Sequence, residues 1–190
     1  MSEIQYRMMP LPSLFLMETT VPDHMVTNIN DYLDELMHQN DRISAAHTLV
    51  GQIGNGEQLV MDHEDGRLAE FSQFLTNMGA EYVSAFMANT GQQLDGNRNV
   101  EMDELWSVHS YAGDYNPIHD HGTKTIMGVS CTTWTKVPEQ ILAQPAAGSE
   151  SYNLYNASGA SDGYICFNYG QSATWDKERL KPTQNVVMKP

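Results

Sequence analysis

Val26, Ile29, Leu33, Leu36 and Met37 recur at three- and four-residue steps, the spacing of one helix face, and Pro22 and Asp23 precede them as opening signals. The pattern predicts an amphipathic helix over this stretch. A second stripe, Leu68, Phe71, Leu75, Met78, Tyr82 and Phe86, keeps the same period and runs into Asn89-Thr90-Gly91, a C-terminal stop signal. Both stripes read as core rather than as a cofactor surface. Between them Gly51, Gly54, Gly56 and Gly66 break the period, which predicts loops with short structure. The run Gly51-Gln52-Ile53-Gly54-Asn55-Gly56 lacks the lysine and the following helix that a phosphate loop requires.

After Asn99 the helical period gives way to β-type segments. Leu105–Tyr111, Thr125–Val137, Gly163–Tyr169 and Asn185–Met188 are the four predicted strands. Pro145–Ser161, rich in Ala, Ser, Gly and Asn, reads as a long loop or hairpin insertion. Helices first and strands afterwards predict an α+β domain in which helices buttress an antiparallel sheet or barrel. One domain is expected over 1–190, with a helical part at 1–99 and a β-rich part at 100–190.

Composition narrows the function classes. A chain of 190 residues can bury a core of its own. A net charge of -14 and a pI near 4.6 exclude the basic stripe that nucleic acid requires. Cys131 and Cys166 are far apart and unpaired in spacing, so both are expected reduced and buried, in a cytoplasmic setting. Met1-Ser2-Glu3-Ile4-Gln5 carries an acid where a signal peptide carries positive charge, and no apolar run reaches the length of a membrane span.

The chemistry concentrates in Tyr115-Asn116-Pro117-Ile118-His119-Asp120-His121-Gly122. In an extended chain side chains two apart share a face, so His119 and His121 can grip one metal ion while Asp120 points away. Pro117 biases Asn116 toward an extended conformation leading into the pair. A pair of surface or hydrogen-bonded core histidines fits the same spacing. The dinuclear zinc hydrolase pattern fails, because Thr123 and Lys124 stand where its Asp and next His belong. Gly113 to His121 fits the start of a cupin motif, but Thr125 and Ile126 occupy the place of its glutamate. A facial site for non-haem iron(II), with open positions for co-substrate and dioxygen, is the remaining pattern.

The longer run Asp114-Tyr115-Asn116-Pro117-Ile118-His119-Asp120-His121-Gly122-Thr123-Lys124-Thr125, then Gly128-Val129-Ser130 and Lys136-Val137-Pro138, resembles the 2-oxoglutarate/iron(II)-dependent oxygenases of marine bacteria and viruses of marine cyanobacteria. Leu49-Val50-Gly51-Gln52-Ile53 and Gly56-Glu57-Gln58-Leu59 are similar to that family too, and the likeness spans roughly Leu49 to Tyr169. It implies a double-stranded β-helix, the jelly-roll relative of the cupin barrel, with N-terminal helices packed outside the sheet. It also implies Fe(II) held by His119 and His121, with 2-oxoglutarate as co-substrate and hydroxylation of a substrate C–H bond as the reaction. Family members continue past a segment like Asn185-Val186-Val187-Met188-Lys189-Pro190 into strands carrying a distal His ligand and an Arg for the co-substrate; here no histidine follows His121. The expectation is a jelly roll incomplete at its C-terminus: a fragment, a relative that has shed its catalytic end, or a barrel completed by a second chain.

Around the pair, Tyr111 is a candidate hydrogen-bond donor to the co-substrate and Lys136 a candidate cation for its carboxylate, against the alternatives of a packed strand tyrosine and a solvated lysine. His109, on the same strand face as Tyr111, is a third metal-ligand candidate. Trp106, Trp134 and Trp175 read as core bulk, and the acidic clusters at Asp31, Asp34, Glu35 and at Asp62, Glu64, Asp65 as solvated faces. The leading expectation is thus an iron(II)/2-oxoglutarate-dependent dioxygenase, viral in origin and acting in the host cytoplasm. A non-catalytic jelly-roll module for binding or virion assembly is the alternative, and a cupin-type metal protein using His109, His119 and His121 a third. No nucleic acid or membrane partner is expected. An unpaired strand edge favours a homo-oligomer.

Overall fold

The computed structural model describes residues 5–11, 14–91, 99–121, 128–143, 163–168 and 185–190. Two strands, β1 (Tyr6–Leu11) and β2 (Leu14–Thr19), pair with each other and precede any helix, which the periodicity did not predict. An ion pair of 2.7 Å between Arg7 and Glu18 ties them. Pro22 then caps α1 (Asp23–Leu36), and Asp23 in its first turn faces the positive end of the helix dipole. Met25, Ile29, Tyr32, Leu33 and Leu36 are its buried face, close to the stripe read from the sequence.

β3 (Glu57–Val60) lies inside the glycine-rich stretch expected to be loop with short structure. It is the middle line of a small antiparallel sheet. On one side residues 43–45 run along it, with Ala45 N–H donating to the Gln58 carbonyl (2.8 Å) and Val60 N–H to the Ile43 carbonyl (2.9 Å). On the other side lies β4 (Trp106–His109), within the predicted Leu105–Tyr111 strand. The register sets Glu57 against His109, Gln58 against Val108, Leu59 against Ser107 and Val60 against Trp106. Opposed residues of an antiparallel pair share a face. Glu57, Leu59, Ser107 and His109 therefore line one face, and Gln58, Val60, Trp106 and Val108 the other.

α2 (Ala69–Thr90) fills the second predicted stripe and ends at Gly91, whose φ of 66° is the left-handed conformation glycine adopts without a steric penalty. Phe71, Phe74 and Met78 of α2 join the buried face of α1 and Leu59, Met61 and Leu68 in one apolar cluster. Leu59 is 2 % exposed. The two helices thus cover the Leu59 face and leave the Trp106 face to other residues. Farther along α2, Tyr82 donates its hydroxyl to the Phe15 carbonyl (2.7 Å) and Phe86 meets Phe15 edge to face, which docks β2 on the helix. The acidic cluster before α2 is more ordered than a solvated face: Arg67 binds Asp65 (2.9 Å) and Glu35 (2.5 Å) and lies over the Tyr32 ring. Hydrogen bonds from the Arg67 guanidinium and then from its backbone N–H hold the Asp65 carboxyl at about 2.

The chain groups into two compact units, Met1–Met9 with Phe15–Cys131, and Pro10–Leu14 with Thr132–Pro190. In the second, β5 (Ile165–Asn168) pairs antiparallel with β6 (Asn185–Met188), both where strands were predicted. A single turn, α3 (Glu139–Leu142), follows Pro138; Ile141 packs on Gly163, and Lys189 donates to the Leu142 carbonyl (2.9 Å). Two expectations are corrected. Of the predicted Thr125–Val137 strand, 125–127 lie outside the described residues and 128–137 form no strand, although their Thr, Val and Trp content suits one; Trp134 instead donates to the Gly163 carbonyl (3.2 Å) from an irregular segment. Cys131 and Cys166 are exposed, not buried. The predicted loop at Pro145–Ser161 and Trp175 lie outside the described residues. No helix among the described residues is long and apolar enough to cross a membrane.

Candidate metal site

Asp114 anchors the segment that leads into the histidine pair. Its carboxylate accepts the N–H of Gly54 (2.7 Å) and Asn55 (3.0 Å) on one oxygen and that of Tyr111 (2.9 Å) on the other. The Tyr111, Asn55, Gly54 and Gly56 N–H groups hold the Asp114 carboxyl below the usual carboxylate range, because they stabilise only its charged form strongly. The glycine-rich run, unassigned from the sequence, is therefore a socket for a side chain of its own protein. An open cleft of about 440 Å³ lies between residues 51–55 and 113–115. Along it Gln52 and Tyr115 exchange both backbone hydrogen bonds (2.8 and 3.2 Å), a two-residue ladder that places Gly51 opposite Asn116.

Between this ladder and His121 the described residues belong to no strand. Residues 116–121 pair with no strand, so no ladder sets the direction of the two rings. The two rings nonetheless converge, with centroids 5.0 Å apart and planes inclined by 58°. His119 is set by its own segment and His121 by a distant one. His119 Nδ1 stands 2.7 Å from the Pro117 carbonyl, which can only accept, so Nδ1 carries the proton and Nε2 keeps a free lone pair in the neutral ring. His121 stacks on Trp106, centroids 6.2 Å apart and planes within 23°. Trp106 thus serves as a wall for His121 from β4, a role that its reading as core bulk missed. No sequence signal marked that contact, which joins residues from two separate segments.

His109 stands on the opposite face of β4 from Trp106, where its Nε2 lies 3.0 Å from Ser107 Oγ. Across the ladder Glu57 is held by Arg42 through two bonds of 2.7 Å, and that pairing lowers the carboxyl of Glu57 and raises the guanidinium of Arg42. The structure therefore brings His119 and His121 together and places His109 elsewhere. Tyr111 is exposed and contributes its backbone N–H to Asp114. Lys136 is exposed and belongs to the second unit.

Imidazole nitrogens bind first-row metals at about 2.0–2.1 Å, so two such rings in adjacent coordination positions have centres on the order of 5 Å apart. The His119–His121 spacing meets that requirement, and the Pro117 carbonyl supplies the outer hydrogen bond that metal-binding imidazoles typically make. Among the described residues no three His, Cys, Asp or Glu side chains converge on one point. Comparison with family models, with curated proteins and with solved structures finds no match.

Proposed function

We propose that this chain is an iron(II)-binding jelly-roll protein of the 2-oxoglutarate-dependent dioxygenase type, with His119 and His121 as its metal ligands. The observation that carries the reading is the convergent imidazole pair with Nδ1 of His119 committed to the Pro117 carbonyl. Two neutral nitrogen donors suit iron(II) and leave coordination positions open. The strong negative charge of the chain favours approach of a divalent cation. When bound, iron(II) with 2-oxoglutarate and dioxygen would supply the oxidising power and the oxygen atom for hydroxylation of a C–H bond, the co-substrate being converted to succinate and carbon dioxide. The chain's own part is to bind and orient. His119 is set by Pro117, His121 is held against Trp106, and Asp114 anchors the entering segment to the 51–56 loop. Tyr111, exposed beside that anchor, is the hydroxyl available to the co-substrate.

The deciding experiment measures iron content under anaerobic loading and conversion of 2-oxoglutarate to succinate, for the wild type and for His119→Ala and His121→Ala. One iron per chain and succinate formation, both lost in the two variants, is the expected result. Iron binding without succinate would reduce the reading to a metal module. Neither iron nor succinate would sink it in favour of a non-catalytic jelly-roll binding or assembly protein.

A further inference from the structure

Gln58 presents a buried acceptor without a partner. It is 4 % exposed, at the middle of β3, and its Oε1 meets no hydrogen-bond donor among the described residues. A buried carbonyl left in that state loses its hydration with nothing in return. Its surroundings show what it lacks. Gln58 is on the β3–β4 face that carries Trp106, the face on which His121 stacks. Gly51 passes over it, opposite Asn116 in the Gln52–Tyr115 ladder. A Cβ placed on Gly51 would stand 2.5 Å from Asn116 Oδ1 and 2.7 Å from Gln58 Oε1. The space that any other residue's side chain would take is thus filled by two carboxamides from different segments, with both oxygens turned to the same point.

Two acceptors facing one point repel, and a half-turn of one carboxamide exchanges its oxygen for an N–H donor without changing its shape. We infer that Gln58 donates its Nε2–H to Asn116 Oδ1 beneath Gly51, and that this amide pair is the positioning device of the histidine site. The mechanical path is short. Fixing Asn116 fixes the start of Asn116-Pro117-Ile118-His119. Pro117, its φ locked by its ring, limits how far the chain can swing from Asn116, and its carbonyl accepts from His119 Nδ1. Asp114 secures the segment on one side of the ladder and Gln58 on the other. Gly51 is required because only a residue without a Cβ leaves the amides room to meet. The role assigned to Gln58 rests on the reading of His119 and His121 as a metal pair, whereas the amide contact itself does not.

The test uses the full chain, with cobalt(II) as the probe. Gln58→Met keeps the volume and removes the donor, and Asn116→Ala removes the acceptor. Each is expected to weaken cobalt(II) binding by roughly 10–100-fold, the range seen when an outer-shell partner of a metal ligand is lost. The double variant should bind no more weakly than either single one, and Asn116→Asp, whose carboxylate still accepts, should keep the wild-type affinity. Additive losses, or an Asn116→Asp variant as weak as Asn116→Ala, would overturn the positioning role. Nuclear magnetic resonance of the Gln58 side-chain amide supplies an arm independent of metal and of variant folding. A through-bond coupling from Nε2 to the Asn116 carboxamide carbon in the wild type is expected, and its absence, as for a bridging water, overturns the pair. A wild type that binds no cobalt(II) yet shows this coupling would reject the metal reading and the positioning role while keeping the contact.

Discussion

Trp106 of β4 and His121 lie nearly parallel, 23° between planes, although the rest of β4 and then turn and irregular chain separate them. The contact gives the site a built-in reporter. Cobalt(II) held at His121 will quench the emission of the indole stacked on it. Titration of the wild type should therefore lower tryptophan fluorescence, and Trp106→Phe should remove most of that change although Trp134 and Trp175 remain. Quenching of the same amplitude in Trp106→Phe would show that the metal binds away from this ring.

Asp114 links the site to acid stability. Its folded carboxyl lies below the ordinary value of about 3.9, so its contribution is fully present above that value and is lost as pH falls through the folded one. Asp65, held at about 2 by Arg67, acts in the same direction. Asp114→Asn should lower the melting temperature at neutral pH and flatten the loss of stability as pH falls below about 4. Thermal melts across that range check it, and an unchanged acid limb would contradict the anchoring role.

Two glycines separate close backbone approach from mere loop composition. A Cβ on Gly56 would stand 1.6 Å from the His109 carbonyl oxygen, a backbone atom that cannot move without breaking the end of the β3–β4 ladder. At Gly66 a Cβ would meet nothing within 4 Å, and the backbone is not left-handed. Gly56→Ala should destabilise by at least about 1–3 kcal/mol. Gly66→Ala should be neutral or stabilise by about 0.4–1 kcal/mol, because it restricts the unfolded chain. Urea titration of both variants measures the difference.

Ile29 and Ile118 form a similar contrast among apolar residues. Ile29 is 2 % exposed at the centre of the helix cluster, and Ile118 is 74 % exposed between the proline and the histidine pair. Ile29→Ala should cost about 2–5 kcal/mol of unfolding free energy. Ile118→Ala should stay within about 0.5 kcal/mol, as surface changes generally do. A large loss at Ile118 would mean that it packs in the folded protein.

How legible each part was follows from the range of the forces involved. α1 and α2 stood out because their buried residues recur with the period of the helix, and β4, β5 and β6 because short β-rich runs end at turn residues. β3 was hidden among glycines, since its strand character comes from pairing with residues 43–45 and 106–109 and not from its own four residues. The error at residues 128–137 has the same source: β-formers make a strand only when another strand accepts them.

For the site, the sequence by itself determined the donor types: two imidazoles at i and i+2, a proline before them, an aspartate before that, and no later histidine. Only the tertiary structure decided that His119 and His121 converge without a strand, that Trp106 rather than His109 faces them, and that the glycine-rich run receives Asp114. Residue type is a local property of the chain. Which carboxylate fills which ring of N–H groups, and which face of β4 a histidine meets, depends on register and long-range pairing, which no single segment encodes.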